Sequence, residues 1–252
     1  MKHFIRSHWK TLVFFTLAGI VGGFCMGLYL EDSYPAEIVA ELHALGITPF
    51  LLGLVSACQA AFYGLMLGAV GILLAKKIGL WRAEWKFEKK SLLAAILIAI
   101  IGGAGIILPD LLYFNHYIPA VRDSYLAKPT PVFILGAVVY GGVIEEVMLR
   151  LFFMSLLAFL LHRIFGKGKE SPALWMLVTA NILSALLFAA GHLPATAQLL
   201  GITPMILVRC FLLNGTFGLL FGWLYRKHGL PCAMIAHAGS HMISKAIWLL
   251  FI

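Results

Sequence analysis

The sequence predicts an all-α membrane protein, a bundle of about seven helices and eight at most. Three observations support this prediction: 62% of the 252 residues are hydrophobic, 12% are charged, and the mean hydropathy is +0.95. Soluble domains carry about 25% charged residues, so this chain has about half the charge needed to cover a soluble surface. Soluble, disordered and fibrous proteins are therefore excluded, and residues 1–252 are predicted to form a single membrane domain.

Apolar segments long enough to cross a bilayer recur along the chain. A helix needs about 20 apolar residues to cross the hydrocarbon core. Seven segments meet this requirement, at 11–30, 49–75, 92–114, 131–161, 172–192, 204–225 and 229–252. The first is followed by Glu31 and Asp32 rather than by a small-residue cleavage site, which indicates a retained helix and not a signal peptide. Residues 193–203 either complete the fifth crossing or fold back inside the bundle.

Positive charge is distributed unevenly between the two sides of the predicted bundle. Fourteen of the 19 Lys and Arg residues precede the first segment or follow the second, fourth and sixth, whereas only Arg122 and Lys128 lie on the other side. The positive-inside rule then places the N-terminus in the cytosol and the C-terminus outside, and we expect a bacterial cytoplasmic membrane. Lys76–Lys90 forms either a basic loop or an interfacial helix. Such short basic clusters argue against nucleic acid as a partner. The lipid bilayer remains the expected partner of these residues.

Ionisable side chains inside the predicted helices are the candidates for function. A charged side chain at mid-bilayer costs roughly 2.5–3.5 kcal/mol on insertion scales, so each needs a partner or a function. The run GGVIEEVMLR in the fourth segment contains Glu145, Glu146 and Arg150. Glu146 and Arg150 are four residues apart and share a helix face, whereas Glu145 points about 100° away. The spacing predicts a Glu146–Arg150 ion pair and leaves Glu145 either for chemistry or as a structural carboxylate.

Two further segments carry polar stripes on one helix face. The stripe of the fifth segment comprises Asn181, Ser184, Phe188 and His192. The stripe of the seventh comprises His237, His241 and Lys245, at successive spacings of four. A lone histidine near a helix end is usually a satisfied polar group, but two histidines and a lysine on one apolar helix are hard to explain by packing. We expect this second stripe to face a cavity or the bundle interior.

Glu145, His192 and His237 together supply the groups that water-activated amide hydrolysis requires. A carboxylate takes a proton from water, an imidazole orients the water or protonates the leaving amine, and a further donor stabilises the oxyanion. No Ser or Cys lies in a nucleophile context such as GxSxG, which favours water over a covalent nucleophile. Counting residues from the predicted turns places the three groups in a cavity reached from the cytosolic side.

Three motifs give the chain a family resemblance. EEVMLR (145–150), FAAGH (188–192) and HAGSH (237–241) resemble the EExxxR, FxxxH and HxxxN/B motifs of the CPBP family. That family comprises the type II CAAX prenyl endopeptidases and their bacteriocin-processing relatives. The resemblance covers 131–245, about half of the chain, and implies that this region is the catalytic core. The N-terminal helices match the family only in being apolar.

The resemblance implies a role for each matching residue. Glu145 would be the general base that activates water, His192 its partner, and His237 an oxyanion-stabilising or metal-binding histidine. The residues that would support the site are Glu146, Arg150 and Phe188.

The resemblance leaves the cofactor open. His241 stands where the family usually has Asn, and it would either donate a hydrogen bond to the oxyanion or bind a metal ion. Zinc is one alternative, since four residues could hold it with an open coordination position: Glu145, His192, His237 and His241. A metal-independent mechanism is the other.

The predicted function is an intramembrane endopeptidase that hydrolyses a membrane-associated peptide or protein, of CAAX type or carrying a leader peptide. Two other classes stay open. A non-catalytic bacteriocin-immunity or partner-binding protein would keep the fold without needing Glu145. A transporter would use a buried Glu/His relay, with Asp110 and Lys245 in its path, although no inverted repeat is visible. The substrate and the oligomeric state also stay open.

Overall fold

The computed structural model describes residues 2–82 and 87–252, and all regular structure within them is helical. In chain order the helices are α1 (Lys2–Ser33), α2 (Ala36–Ala44), α3 (Pro49–Lys77), α4 (Lys89–Tyr117), α5 (Pro119–Ser124), α6 (Pro131–Phe165), α7 (Leu174–Gly191), α8 (Leu193–Leu200), α9 (Pro204–His228) and α10 (Leu230–Phe251). The prediction of an all-α membrane bundle is confirmed.

Six helical spans in the described part of the chain are long and apolar enough to cross a membrane: α1, α3, α4, α6, α9, and α7 together with α8. The seventh predicted segment forms α10, whose 22 residues extend about 33 Å, similar to the thickness of the hydrocarbon core. Its polar stripe lowers its hydropathy. Since α8 has eight residues and extends about 12 Å, it is too short for an eighth crossing.

The basic connection between α3 and α4 is not helical where it is described. The sequence leaves Lys76–Lys90 either as a loop or as an interfacial helix. Helix α3 ends at Lys77, α4 begins at Lys89, and residues 78–82 and 87–88 between them are not helical. Residues 83–86, the middle of that stretch, lie outside the described residues.

Three of the long helices begin in the same way, with threonine followed by proline. The hydroxyl groups of Thr48, Thr130 and Thr203 accept hydrogen bonds from the backbone N–H groups three residues later, at 3.2–3.3 Å. The proline that follows each threonine has no N–H, so that position adds no unpaired donor to the first turn. Local sequence therefore sets the start of α3, α6 and α9.

Contacts between distant residues define the two ends of the bundle. Lys76 Nζ lies 3.4 Å from His8 Nε2, and Ser91 Oγ lies 2.9 Å from His228 Nδ1. We call this the basic end; it contains the start of α1, the α3–α4 and α6–α7 connections, and the α9–α10 turn. The opposite end contains α2, α5, α8 and the α8–α9 connection. Its own small apolar cluster comprises Phe114, Ile118, Val121 and Ile206.

The main apolar core fills the half of the bundle nearer the basic end. Its fully buried side chains come from most of the long helices and include Ile72, Leu151, Met154, Leu224 and Tyr225. Tyr225 also has its hydroxyl 2.7 Å from Ser155 Oγ within this core. The space that remains for a polar cavity therefore lies on the other side of the core.

Helix α6 departs from α-helical geometry in the region of the first motif. Residues Ala137–Glu145 and Val147–Met154 are π-helical, with Glu146 between them. Such stretches usually occur as single turns and are frequent at functional sites. Gly142 lets α10 lie directly against this region, since a Cβ there would be 2.6 Å from the Ala238 side chain. The backbone just before the first motif therefore lies directly against the third motif.

Candidate active site

Glu146 is fully buried and uses one oxygen for two partners. Its Oε1 lies 3.3 Å from Arg150 Nη1 and 2.8 Å from His237 Nδ1. The contact with Arg150 is the ion pair that the four-residue spacing predicts. The contact with His237 joins α6 to α10, and here the imidazole N–H donates to the carboxylate. Glu146 thereby fixes the ring of His237 with Nδ1 protonated and Nε2 pointing away from Glu146.

Arg150 is enclosed by aromatic rings. Its guanidinium carbon lies 4.6 Å from the ring centroid of Phe188 and 5.6 Å from that of Phe221. Nη2 donates to the Gly218 carbonyl at 3.1 Å. Cation–π contacts and this hydrogen bond stabilise a charge whose side chain is only 1% exposed. Phe221 also stacks on His237 at 4.5 Å, a contact that no sequence motif indicates.

The two adjacent glutamates occupy different environments. The side chain of Glu145 is 21% exposed, whereas that of Glu146 is 0% exposed. Glu145 Oε2 lies 3.7 Å from His237 Nε2, which is longer than a direct hydrogen bond. Polar groups at such a separation are commonly bridged by water. Glu145 is therefore the carboxylate that solvent and a substrate can contact.

His241 is held by a lysine on its own helix. Lys245 Nζ lies 3.3 Å from His241 Nδ1, and an ammonium group can only donate. His241 is therefore neutral, with its proton on Nε2, and offers an N–H to the site. Its ring stacks on His237 at 5.0 Å, next to the backbone of Gly141.

Gly141→Ala is expected to lower activity strongly, because the histidines pack directly on the backbone at this position. A Cβ there would lie 2.6 Å from His241 Nε2 and 3.4 Å from His237 Nε2, so both rings would have to shift. Gly215→Ala is the matched control, since its Cβ would meet only the Ala189 side chain, at 4.0 Å. Cleavage rates and unfolding temperatures of both variants test this. Equal activity in the two would contradict the argument.

His192 lies at the end of α7 and is fixed within that helix. Its Nδ1 lies 2.8 Å from the Phe188 carbonyl oxygen, so Nδ1–H donates to the carbonyl and Nε2 is the acceptor. Within the described residues, His192 makes no direct contact with Glu145. It shares a cavity with His237 and His241 instead.

The polar stripe of α7 donates hydrogen bonds to backbone carbonyl groups of the neighbouring helices α6 and α9. Asn181 Nδ2 donates to the Leu219 carbonyl at 3.0 Å, and Ser184 Oγ donates to the Leu149 carbonyl at 2.8 Å. These bonds fasten α7 to α9 and α6. They fix the position of α7 along its axis, and with it the contact between Phe188 and Arg150.

A cavity of about 730 Å³ adjoins the three histidines. Its deep end is lined by Phe221, His237 and His241, and its outer part by Asp123 and Ala127, which are both exposed. The cavity thus opens at the opposite end of the bundle, not at the basic end that residue counting predicts. The count fails because apolar core side chains fill the space between His237 and the α9–α10 turn.

The four candidate zinc ligands are not grouped closely enough, in the described residues, to hold a metal ion as they stand. Among the residues that the structure describes, no three His, Cys, Asp or Glu side chains are grouped so that they could hold a metal ion. Zinc ligands lie about 2.0–2.2 Å from the ion and must therefore be close to one another. His237 donates Nδ1–H to Glu146 and His192 donates Nδ1–H to the Phe188 carbonyl, so Nε2 of each ring is not used by these bonds.

Asp110, a candidate for a transport path, is part of a buried ion pair. Its Oδ1 accepts from Arg209 Nε at 2.6 Å, and its Oδ2 accepts from Arg209 Nη2 and from the Tyr125 hydroxyl. Burial, and then the charge of Asp110, raises the pKa of Tyr125, which keeps this phenol a donor. A carboxylate held by three donors is better suited to joining α4 and α9 than to passing protons.

Comparison with protein families gives a match over the part of the chain that contains this site. Residues 127–243 match the family model described as type II CAAX prenyl endopeptidase Rce1-like. The matched range includes all three motifs and every residue of the site described above except Lys245. Comparison with curated proteins and with solved structures gave no significant match.

Proposed function

We propose that this protein is an intramembrane endopeptidase that activates water with Glu145, since residues 127–243 match the Rce1-like family model of type II CAAX prenyl endopeptidases. The observation that carries the proposal is the unequal environment of the two glutamates. Glu146 is buried, forms an ion pair with Arg150 and accepts a hydrogen bond from His237. Glu145, in contrast, is partly exposed and lies beside His237 Nε2.

Glu145 and His237 together position the attacking water. With Nδ1–H donated to Glu146, neutral His237 has a lone pair on Nε2, and Glu145 Oε2 is also an acceptor. One water molecule can donate one hydrogen to each of two acceptors that are 3.7 Å apart. Glu145 takes a proton from this water as its oxygen attacks the scissile carbonyl carbon.

The remaining steps use His241 and the protonated Glu145. The tetrahedral intermediate carries a negative oxygen, which accepts a hydrogen bond from His241 Nε2–H. When the C–N bond breaks, Glu145 returns its proton to the leaving amine, and the carbonyl carbon keeps the oxygen of the water. His192 Nε2, on the cavity wall, accepts a hydrogen bond from an N–H group of the bound peptide.

The experiment that tests this function compares membranes from cells expressing the parent protein or Glu145→Gln. Mass spectrometry of protein termini should show new termini with the parent that are absent with the variant. The substrates found in this way also separate CAAX-type from leader-type cleavage. An immunity protein or a transporter would give the same set of termini in both membranes, which would overturn the proposal.

A further inference from the structure

The cavity beside the site is lined by His192, His237 and His241, whereas Glu145 adjoins it through His237, and it opens at the end opposite the basic end. Exposed residues around its opening include Asp123, Ala127 and Leu199. Its walls continue inward past Asn214 to His237. Its lining includes no residue of the basic-end connections among those that the structure describes.

At the basic end, packed side chains separate the site from the surface, and the small cavity there, of about 160 Å³, is lined by none of the site residues. Leu224, Tyr225 and Leu230 are at most 4% exposed and lie between His237 and the basic-end surface. Met154 of α6 is fully buried in the same layer. A peptide could reach Glu145 from this side only if the core opened, whereas the cavity is already present on the other side.

The two ends also differ in charge. Among the described residues, 13 Lys and Arg lie at the basic end and two, Arg122 and Lys128, at the opposite end. The positive-inside rule counts short connections of this kind, so the basic end faces the cytosol. Exposed Tyr113 and Tyr117 lie on α4 near the cavity opening, as expected of side chains at a membrane–water interface.

We infer that substrates enter the site from the extracytoplasmic side, and that they are membrane-anchored polypeptides with the scissile segment outside the cytosol. This inference rests on the proposed function and selects among its substrate classes. A cytosolic prenylated C-terminus would meet the closed end of the bundle. A leader or anchor segment that emerges on the far side of the membrane would meet the open cavity at the level of the interface.

Three single-cysteine variants test the direction of access, in a background in which the four natural cysteines are replaced by alanine. Ala127→Cys is at the cavity opening, Glu37→Cys is at the same end on α2, and Lys167→Cys is at the basic end. A bulky, membrane-impermeant maleimide is applied to intact cells or to inverted vesicles. We expect Ala127→Cys and Glu37→Cys to be labelled only from outside, and Lys167→Cys only from the cytosolic side.

Substrate cleavage by each variant, measured before and after labelling, completes the test. Labelled Ala127→Cys should lose at least tenfold in rate, whereas labelled Glu37→Cys and Lys167→Cys should keep their rates. Labelling of Ala127→Cys from the cytosolic side, or unchanged cleavage after it is labelled, would overturn the inference. Failure of the proposed function itself is a different result, because no variant would then cleave while the labelling pattern would still report the orientation.

Discussion

Arg150→Ala is expected to destabilise the protein by about 3–5 kcal/mol, the cost of leaving one member of a buried ion pair uncompensated. Glu146 would keep its charge at 0% exposure, and Phe188 and Phe221 would lose the guanidinium between them. Unfolding in detergent, followed by circular dichroism, measures the loss. Arg163→Ala is the matched control on the same helix, where the side chain is exposed and a change within about 0.5 kcal/mol is expected.

The double variant Glu146→Gln with Arg150→Met tests the reason for that loss. Removing both charges leaves no uncompensated ion, so this variant should be more stable than Arg150→Ala alone. Equal stability of Arg150→Ala and Arg163→Ala would show that the buried pair contributes nothing.

His241→Ala is expected to lower the cleavage rate by about 10²–10³, the usual effect of removing one oxyanion donor. His241→Asn should keep most of the rate, since an amide N–H can donate in the same way. Lys245→Met should lower the rate of the parent, because Lys245 selects the tautomer of His241 that has its proton on Nε2. The same substitution should lower the rate of His241→Asn by little, because an amide has no such tautomer. Rates of the parent, the three single variants and the His241→Asn/Lys245→Met double variant at a fixed substrate concentration provide the comparison.

Metal ligation by His241 would give a different pattern. Asn is a poor replacement for a zinc-binding histidine, so His241→Asn would then lose both activity and bound zinc, and a chelator would inactivate the parent. Full activity in His241→Ala would exclude both roles for this residue.

Local sequence predicts the helices and the contacts within them. The apolar segments give the bundle, the Thr-Pro pairs start three helices, and the spacing of Glu146 and Arg150 gives their ion pair. The motifs also give the family resemblance, because each is a short pattern on one helix, and the family model matches the range that contains them. In each case the information lies within a few consecutive turns of a single helix.

Contacts between helices could not be predicted in this way. The bond from His237 to Glu146 joins residues 91 apart in sequence, and the stacking of Phe221 on His237 depends on how α9 lies against α10. The π-helical backbone around Glu146 and the cavity opening near Ala127 also depend on packing of the whole bundle. Counting residues from turns gives a depth within the membrane but does not reveal which side of the site the core fills.

The most direct test of the account is the cleavage rate of purified Glu145→Gln, beside Glu146→Gln and the parent, on a peptide that spans a cut found in membranes. If Glu145 is the general base, Glu145→Gln should lose about 10²–10⁴ in rate, because this carboxylate takes the proton from water. Its unfolding temperature should stay close to that of the parent, because Glu145 does not neutralise a buried charge. Glu146→Gln should lose both activity and stability, since it contacts Arg150 and His237. A Glu145→Gln protein that cleaves at the parent rate would contradict the role of Glu145 as the general base.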